Sequence, residues 1–386
     1  MMDTLRAGVK EMTAWRRELH AHPELAFREH RTGDLVARRL SGFGLEVDRG
    51  LAGTGVVGTL RRGGRGRAIA LRADMDALPV TEANDLPYRS RVPGVMHACG
   101  HDGHMAMLLG AARHLAEAGR FDGTIHFIFQ PAEENEGGGR VMIEAGLFDR
   151  FPAEVVFGLH NWPGLPVGRF AVRAGPVMAA FDTFEVTVRG RGAHGAMPHL
   201  AVDPVVAAAG LVSAFQTITS RNLSPVEAAV VSVTQIEAGE TWNVIPDHVR
   251  MRGSTRYFRS DVGRLLEDRM RRVAAGVAGA FGATAEVAYD RRYPATVNNH
   301  AETEIAARVA AEVVGPESVC RDLPPSLASE DFAFMLQGRP GCYACIGNGP
   351  ADDGRGLHSA SYDFNDEILP LGAAYWVRLA ETLLQP

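Results

Sequence analysis

The sequence predicts an α/β fold made of two units, an α+β unit inserted into a layered one, and three observations carry that expectation. From Gly55 to His160 short apolar strands alternate with helical stretches, the pattern of a sheet flanked by helices. From Phe181 the texture changes to longer, half-alternating strands, and towards the C-terminus long helices and short buried strands return. At 386 residues the chain also exceeds the length at which a single core keeps growing. The expected division is a discontinuous first domain over 1–175 and 293–386 and an inserted domain over 176–292.

Taken in order, Met1 to His20 scatters charges through an amphipathic helical pattern, with no apolar block of signal-peptide length. A second helix is predicted over Thr32–Leu40, with Thr32 or its neighbours as cap. Gly55–Leu60 and Ala68–Arg72 are apolar runs bounded by Gly and Arg, joined by a solvated Arg-rich turn, and the second leads into Ala73-Asp74-Met75-Asp76. Met107, Leu108, Ala111 and Leu115 at helical spacing predict a helix from Gly103 to Leu115. The strand Thr124–Phe129, a helix to Ala145 and the strand Val155–Leu159, with His160 at its end, complete the alternation. In the insert, Phe184–Val188 alternates like a half-exposed strand. Strands Ala228–Gln235, Val249–Thr255 and Thr284–Tyr289 and helices Asp203–Thr219 and Asp261–Phe281 follow, so two helices on one face of a four-stranded sheet is the economical packing. Helices Ala301–Val313 and Glu330–Met335, a strand around Cys342 and a final helix to Leu384 close the chain.

Composition narrows the class. Hydrophobic residues at 46% and charged residues at 22% are ordinary for a globular protein and exclude disorder as the main state. A net charge of -6 argues against a nucleic-acid partner, and no run approaches membrane-spanning length. Four cysteines make a disulfide framework improbable and point to a reducing compartment, hence a cytoplasmic location. The C-x-x-C of Cys342 and Cys345 is discounted as a redox or zinc motif, because residues three apart on a strand face opposite sides.

The chemistry concentrates in His97-Ala98-Cys99-Gly100-His101-Asp102-Gly103-His104, three imidazoles, a thiol and a carboxylate in one short stretch. Such a density of ligand types makes a metal site the first hypothesis. In an extended loop Cys99 and His101 point the same way and reach one site, while His97 and His104 orient them or bind metal themselves. A cysteine nucleophile paired with a histidine is the sharper rival. Glu133-Glu134 follows a strand directly, so one acid can hold metal while its neighbour faces the water to be activated. His160 at a strand end and His358 in a Gly-rich loop fall on the same sheet edge. Five such donors are too many for one tetrahedral zinc and suit two metals sharing a bridging group.

Together, Asp74-x-Asp76-Ala-Leu-Pro, the His97–His104 motif, Gln130-Pro-Ala-Glu133-Glu134, Gly158-Leu-His160 and Leu357-His358-Ser359 resemble the bacterial amidohydrolase branch of the aminoacylase and carboxypeptidase G metallopeptidase family. Its members include hippurate hydrolases and plant auxin-conjugate hydrolases. The match runs in order along essentially the whole chain. The resemblance implies a di-metal aminopeptidase-like catalytic domain, with a mixed sheet flanked by helices, and an inserted α+β lid and dimerisation domain. By the family pattern Cys99, His101, Glu134, His160 and His358 are ligands of two divalent metals and Glu133 is the general base. Thiolate favours zinc, while carboxylate and imidazole also accept manganese, cobalt or nickel.

Asp76 resembles the aspartate that fixes a ligand histidine, although the wider family has His where this chain has Asp74, which leaves that role open between the two acids. In the insert, His194 matches a histidine that reaches the partner subunit's active site and stabilises the oxyanion, and Asn243 and Arg256 match positions that hold the substrate carboxylate. The implied protein is a homodimeric hydrolase that splits a small N-acyl amino acid with metal-activated water. The two rivals are a metal-independent cysteine acyl transferase and a non-catalytic metal-binding scaffold.

Overall fold

The computed structural model describes every residue except Asn135, Asp352 and Asp353. The chain divides into two compact units, one of Met1–Val177, Val297–Pro324 and Asp331–Pro386, the other of Met178–Thr296 with Pro325–Glu330. The main helices are α1 (Met2–Ala7), α2 (Val9–Ala21), α3 (His30–Gly42), α4 (His101–Ala118), α5 (Gly138–Glu144), α6 (Pro204–Thr217), α7 (Ser260–Ala280), α8 (His300–Val314), α9 (Phe332–Gly338) and α10 (Leu369–Leu383). The sheet strands are β1 (Glu46–Leu51), β2 (Gly55–Arg62), β3 (Ala68–Asp74), β4 (Gly123–Gln130), β5 (Val155–Pro163), β6 (Phe170–Ala171), β7 (Ala180–Arg189), β8 (Ala229–Ala238), β9 (His248–Tyr257), β10 (Thr284–Tyr293), β11 (Val319–Cys320) and β12 (Gly341–Gly349).

The first unit is a mixed sheet in the order β1-β2-β4-β3-β5-β12-β6-β11. Its centre is parallel: β3 lies between β4 and β5, and β12 runs alongside β5 from Gly341 opposite Val156 to Gly349 opposite Pro163. Ile69, Ala70, Leu71, Val156, Phe157 and Cys342 are buried, as expected of strands covered on both faces. Helix α4 is buried from His101 to Ala112 and packs against α2 and α10. A helix apolar nearly all round can exist only inside a core. The parallel strands β3 and β4 end at Asp74 and Gln130, which puts the loops after them at the edge where α/β sheets collect ligands.

Three local expectations are corrected, and one strand is added. The first helix breaks at Gly8 into α1 and α2. Thr32 lies inside α3, whose N-cap is Glu29. The amides of Arg31 and Thr32 and the Thr32 hydroxyl donate instead to Glu24, which caps the helix from the preceding loop. Strand β1 had no expectation, because an edge strand carrying Glu46, Asp48 and Arg49 lacks an apolar period. His160 does not end its strand: pairing with β12 keeps β5 extended to Pro163, with Cys345 opposite His160.

In the second unit an antiparallel sheet of order β8-β9-β7-β10 carries α6 and α7. Phe184, Val186, Val188, Val249, Met251, Leu211, Phe215, Leu266 and Met270 form its core. Every second residue of β7 and β9 is buried, which fixes register because a one-residue slip would expose the whole set. Asp203 caps α6 by accepting from Val205 and Val206, with Pro204 in the first turn. Among the described residues no helix is long and apolar enough to cross a membrane.

Candidate metal centre

The His97–His104 stretch turns into α4 at Gly100, whose backbone is left-handed (φ 92°). Cys99, His101 and His160 each present one donor atom, all within 4.8 Å of one another; so do Cys99, Glu134 and His358, and so do His101, Glu133 and Glu134. The shared members join all six residues into one cluster. Cys99 Sγ lies 3.5 Å from His160 Nε2, and His358 Nε2 lies 3.0 Å from Glu134 Oε1. That contact is not a hydrogen bond, for the Glu134 oxygen is buried without a hydrogen-bond partner among the described residues.

Hydrogen bonds decide which histidine atoms are available. His101 Nδ1 donates to the Asp76 carbonyl at 2.8 Å, so the lone pair of the neutral ring is on Nε2, and that buried atom has no hydrogen-bond partner among the described residues. An orphaned buried lone pair among a thiol and carboxylates fits a metal ligand. His160 Nδ1 donates to the Asn161 carbonyl at 2.5 Å, which likewise leaves Nε2 as its ligand atom. His104 differs: its Nε2 accepts from both the amide and the side chain of Asn161, and its Nδ1 donates to Asp74 at 2.6 Å. His104 thus spends both ring nitrogens on protein partners. His97 is buried with neither ring nitrogen hydrogen-bonded among the described residues, and burial pushes it down to about 4 and so keeps it neutral.

The field in the cluster favours cations. Burial alone would lower His101, but Asp74, Asp76 and Glu134 outweigh it and push it up to about 10. Burial, then Glu134, Glu133 and Asp74, push the Cys99 thiol well above its ordinary range. Burial and the neighbouring His104 hold His160 well below the imidazole range, so it is a poor base for that thiol.

The Glu133–Glu134 loop is held by its backbone. The Asp76 carboxylate accepts from the amides of Glu133 and Glu134 at 3.0 and 2.9 Å and lies 3.4 Å from His101 Nδ1. Asp76 thus reaches His101 chiefly through its carbonyl and reserves its carboxylate for the acidic pair. The preceding Ala132 is left-handed (φ 56°), held there by its amide donating to Glu29 and its carbonyl accepting from Gly138. His358 is left-handed too (φ 64°), its amide donating to the Ala98 carbonyl. Such conformations cost about 1–3 kcal/mol each and persist where surrounding bonds over-determine them. Behind Asp74 lies a layer that sequence reasoning missed: Arg72, fully buried, donates to Asp74, Gln130 and Asp331, and Asp331 also accepts from Gln130 and Gly139. Its one sequence signal was an arginine inside an otherwise apolar strand.

His194, Asn243 and Arg256 lie in the second unit. The two-residue strands Ala193–His194 and Val244–Ile245 pair there, with His194 opposite Val244 and the Gly195 amide donating to the Asn243 carbonyl. His194 is exposed, and its Nδ1 accepts from the Ala196 amide at 3.1 Å, which puts the proton on Nε2. Arg256 stacks on Phe181 at 4.2 Å and donates to Ser329 at 3.0 Å.

A mixed sheet whose strands and following loops gather thiol, imidazole and carboxylate donors, most of them buried, defines a metallohydrolase class. The chain belongs to the peptidase family M20/M25/M40, whose model matches residues 70–382, and it is a hydrolase of that family. It is 41% identical to a hippurate hydrolase of Campylobacter jejuni, over 95% of this chain and 94% of that one. It is 39% identical to an N-acetylcysteine deacetylase of Bacillus subtilis, over 96% of each. Its fold matches a dinuclear metal-binding peptidase from the M20 family of Bacillus subtilis with a TM-score of 0.87 and 35% identity, covering 98% of this chain and 99% of that one.

Proposed function

We propose that the protein is an amidohydrolase that cleaves an N-acyl amino acid, with an acetyl, benzoyl or larger aryl-acyl group, into a carboxylic acid and an amino acid. The observation that carries the reading is the donor cluster, buried except at the half-buried Glu134 and the exposed His358, with the unpartnered Nε2 of His101 beside the paired acids. Cys99, His101, Glu134, His160 and His358 would hold two divalent metals, with zinc or manganese favoured and cobalt or nickel acceptable to the same donors. When bound, such a pair polarises the acyl carbonyl and lowers the pKa of a water.

The chain's own residues supply the rest. Glu133, buried and fixed through Asp76, takes the proton of the attacking water on a carboxylate oxygen and returns it to the leaving nitrogen. His194 offers Nε2–H to the oxyanion, in the active site of the partner subunit of a homodimer formed through the second unit. Asn243 and Arg256 hold the carboxylate of the amino-acid product half. Arg256 has no acidic partner among the described residues, and stacking on Phe181 pre-orients its guanidinium. Four free cysteines suit a reducing, cytoplasmic setting. The acyl-transferase rival needs a thiolate with no metal to stabilise it, and burial together with the acids around Cys99 opposes one.

The test is amine release from N-acetyl, N-benzoyl and indole-acyl amino acids with and without a chelator. Turnover should vanish on chelation and return with added divalent metal; full turnover by metal-free protein would overturn the reading.

A further inference from the structure

Asn161 touches each ligand-bearing segment except the Glu133–Glu134 loop. Its side-chain Nδ2 donates to the Cys99 carbonyl at 2.7 Å and to His104 Nε2, in the first turn of the His101 helix, at 3.0 Å. Its Oδ1 accepts from the Tyr362 hydroxyl at 2.6 Å, four residues beyond His358. Its backbone carbonyl accepts from His160 Nδ1 and its amide donates to His104 Nε2. The amide group thus spends both N–H donors and an oxygen lone pair, all of them buried.

Neighbouring backbone is shaped around this residue. A Cβ at Gly100 would collide with Asn161 Nδ2 and Tyr362 Oη, and Gly100 is also left-handed, so the residue between two proposed ligands is a glycine on two counts. The far side of His104 is anchored as well, through Asp74 to Arg72 and Asp331.

We propose that Asn161 is a positioning residue of the metal centre, setting the tautomers of His104 and His160 and locking the Cys99, His160 and His358 segments into one geometry. The inference rests on the metal-centre reading above. Its physical basis is that partners of ligands fix both the direction of a lone pair and the spacing between donors, and their loss typically weakens metal binding about 10- to 100-fold. Asn161→Asp is the sharpest probe, because it keeps the shape while turning a donor into an acceptor that faces the Cys99 carbonyl and the His104 lone pair. Tyr362→Phe removes one hydroxyl and leaves the packing.

The experiment loads the full-length protein and both variants with zinc against a competing chelator, and with cobalt to record the thiolate charge-transfer band that reports Cys99. Asn161→Asp should bind zinc about 10- to 100-fold more weakly and shift the cobalt band, and Tyr362→Phe should move both in the same direction by less. A merely structural role would lower the thermal midpoint of the metal-free protein and leave the cobalt band in place, which overturns the proposal. Unchanged affinity and band in both variants overturn it as well. If Asn161→Asp does not fold, Tyr362→Phe alone decides by the same readings. Wild-type protein that takes up neither metal overturns this proposal together with the reading it rests on.

Discussion

His101 in the first unit and His194 in the second each have Nδ1 committed to a backbone group and Nε2 without a hydrogen-bond partner among the described residues, and they are chemical opposites. His101 commits Nδ1 as a donor, to the Asp76 carbonyl, so the remaining nitrogen offers a lone pair; His194 commits Nδ1 as an acceptor, from the Ala196 amide, so the remaining nitrogen offers a proton. Burial completes the contrast. His101 sits among carboxylates in a fully buried pocket, where a cation is welcome, while His194 is exposed on a two-residue strand. One backbone hydrogen bond therefore sets whether the other nitrogen of a neutral imidazole accepts or donates, and residue type alone does not.

If that contrast is right, changes in the first unit should move metal content or proton transfer, and changes in the second should leave metal alone. The largest effect is expected at Glu133. Glu133→Gln should retain metal and lose about 10²- to 10⁴-fold or more in kcat, since general-base removal alone is worth that much, whereas Glu134→Gln should lose metal as well. Elemental analysis of both variants checks this, and the reverse pattern would exchange the two roles.

His194→Ala should cost about 10²- to 10³-fold in kcat, the usual worth of one oxyanion donor, with metal content unchanged. Mixed with Glu133→Gln it should regain up to roughly a quarter of wild-type activity if subunits exchange and the histidine acts across a dimer. No recovery despite exchange seen by native mass spectrometry would place His194 in its own chain's site or outside catalysis. Arg256→Ala should be milder, about 30-fold in kcat/KM, corresponding to about 2 kcal/mol for one charge-assisted bond. The loss should disappear for an amide substrate that lacks the carboxylate; an equal loss on both substrates would remove Arg256 from carboxylate binding.

His20 sharpens the contrast from a third side, because both of its nitrogens face carboxylates, Asp102 at 2.9 Å and Glu82 at 3.3 Å. Burial opposes the charge, yet these partners raise the group from 6.5 to about 9. A folded-state value above the unfolded one means the stabilisation is complete below about pH 6.5 and is lost as pH rises through 9. Wild type should therefore lose up to about 3 kcal/mol across that window relative to His20→Gln. Urea midpoints at both ends measure it, and parallel pH dependence in the two proteins would show that His20 does not carry the charge.

What could be read from the sequence follows the physics of each feature. Helix α4 and the buried strands announced themselves because burial on all sides leaves a continuous apolar record in neighbouring residues. Cys99, His101 and the Glu133–Glu134 pair were conspicuous through local density of ligand types, a property of adjacent positions. The bonds that orient them were not, because Asp76 to Glu134, Asn161 to Cys99 and Arg72 to Asp331 join residues far apart in sequence, and an asparagine or arginine looks the same there as on a surface. His160 was read as a strand end because its partner strand β12 comes from distant sequence. The left-handed turns at Ala132 and His358 were equally invisible, since no glycine marks either.

The placement of β12 also has a consequence for how the molecule is made. The β5 edge that receives it, with Phe157 and Leu159 beside it, leaves the ribosome before the whole Met178–Thr296 segment of the second unit and α8. At translation speeds of about 5–20 residues per second, that edge waits several seconds or longer for its partner. The nascent chain therefore carries an open, apolar sheet edge through much of its synthesis, and the second unit, whose own sheet is continuous in sequence from β7 to β10, can finish folding before the sheet that precedes it is closed.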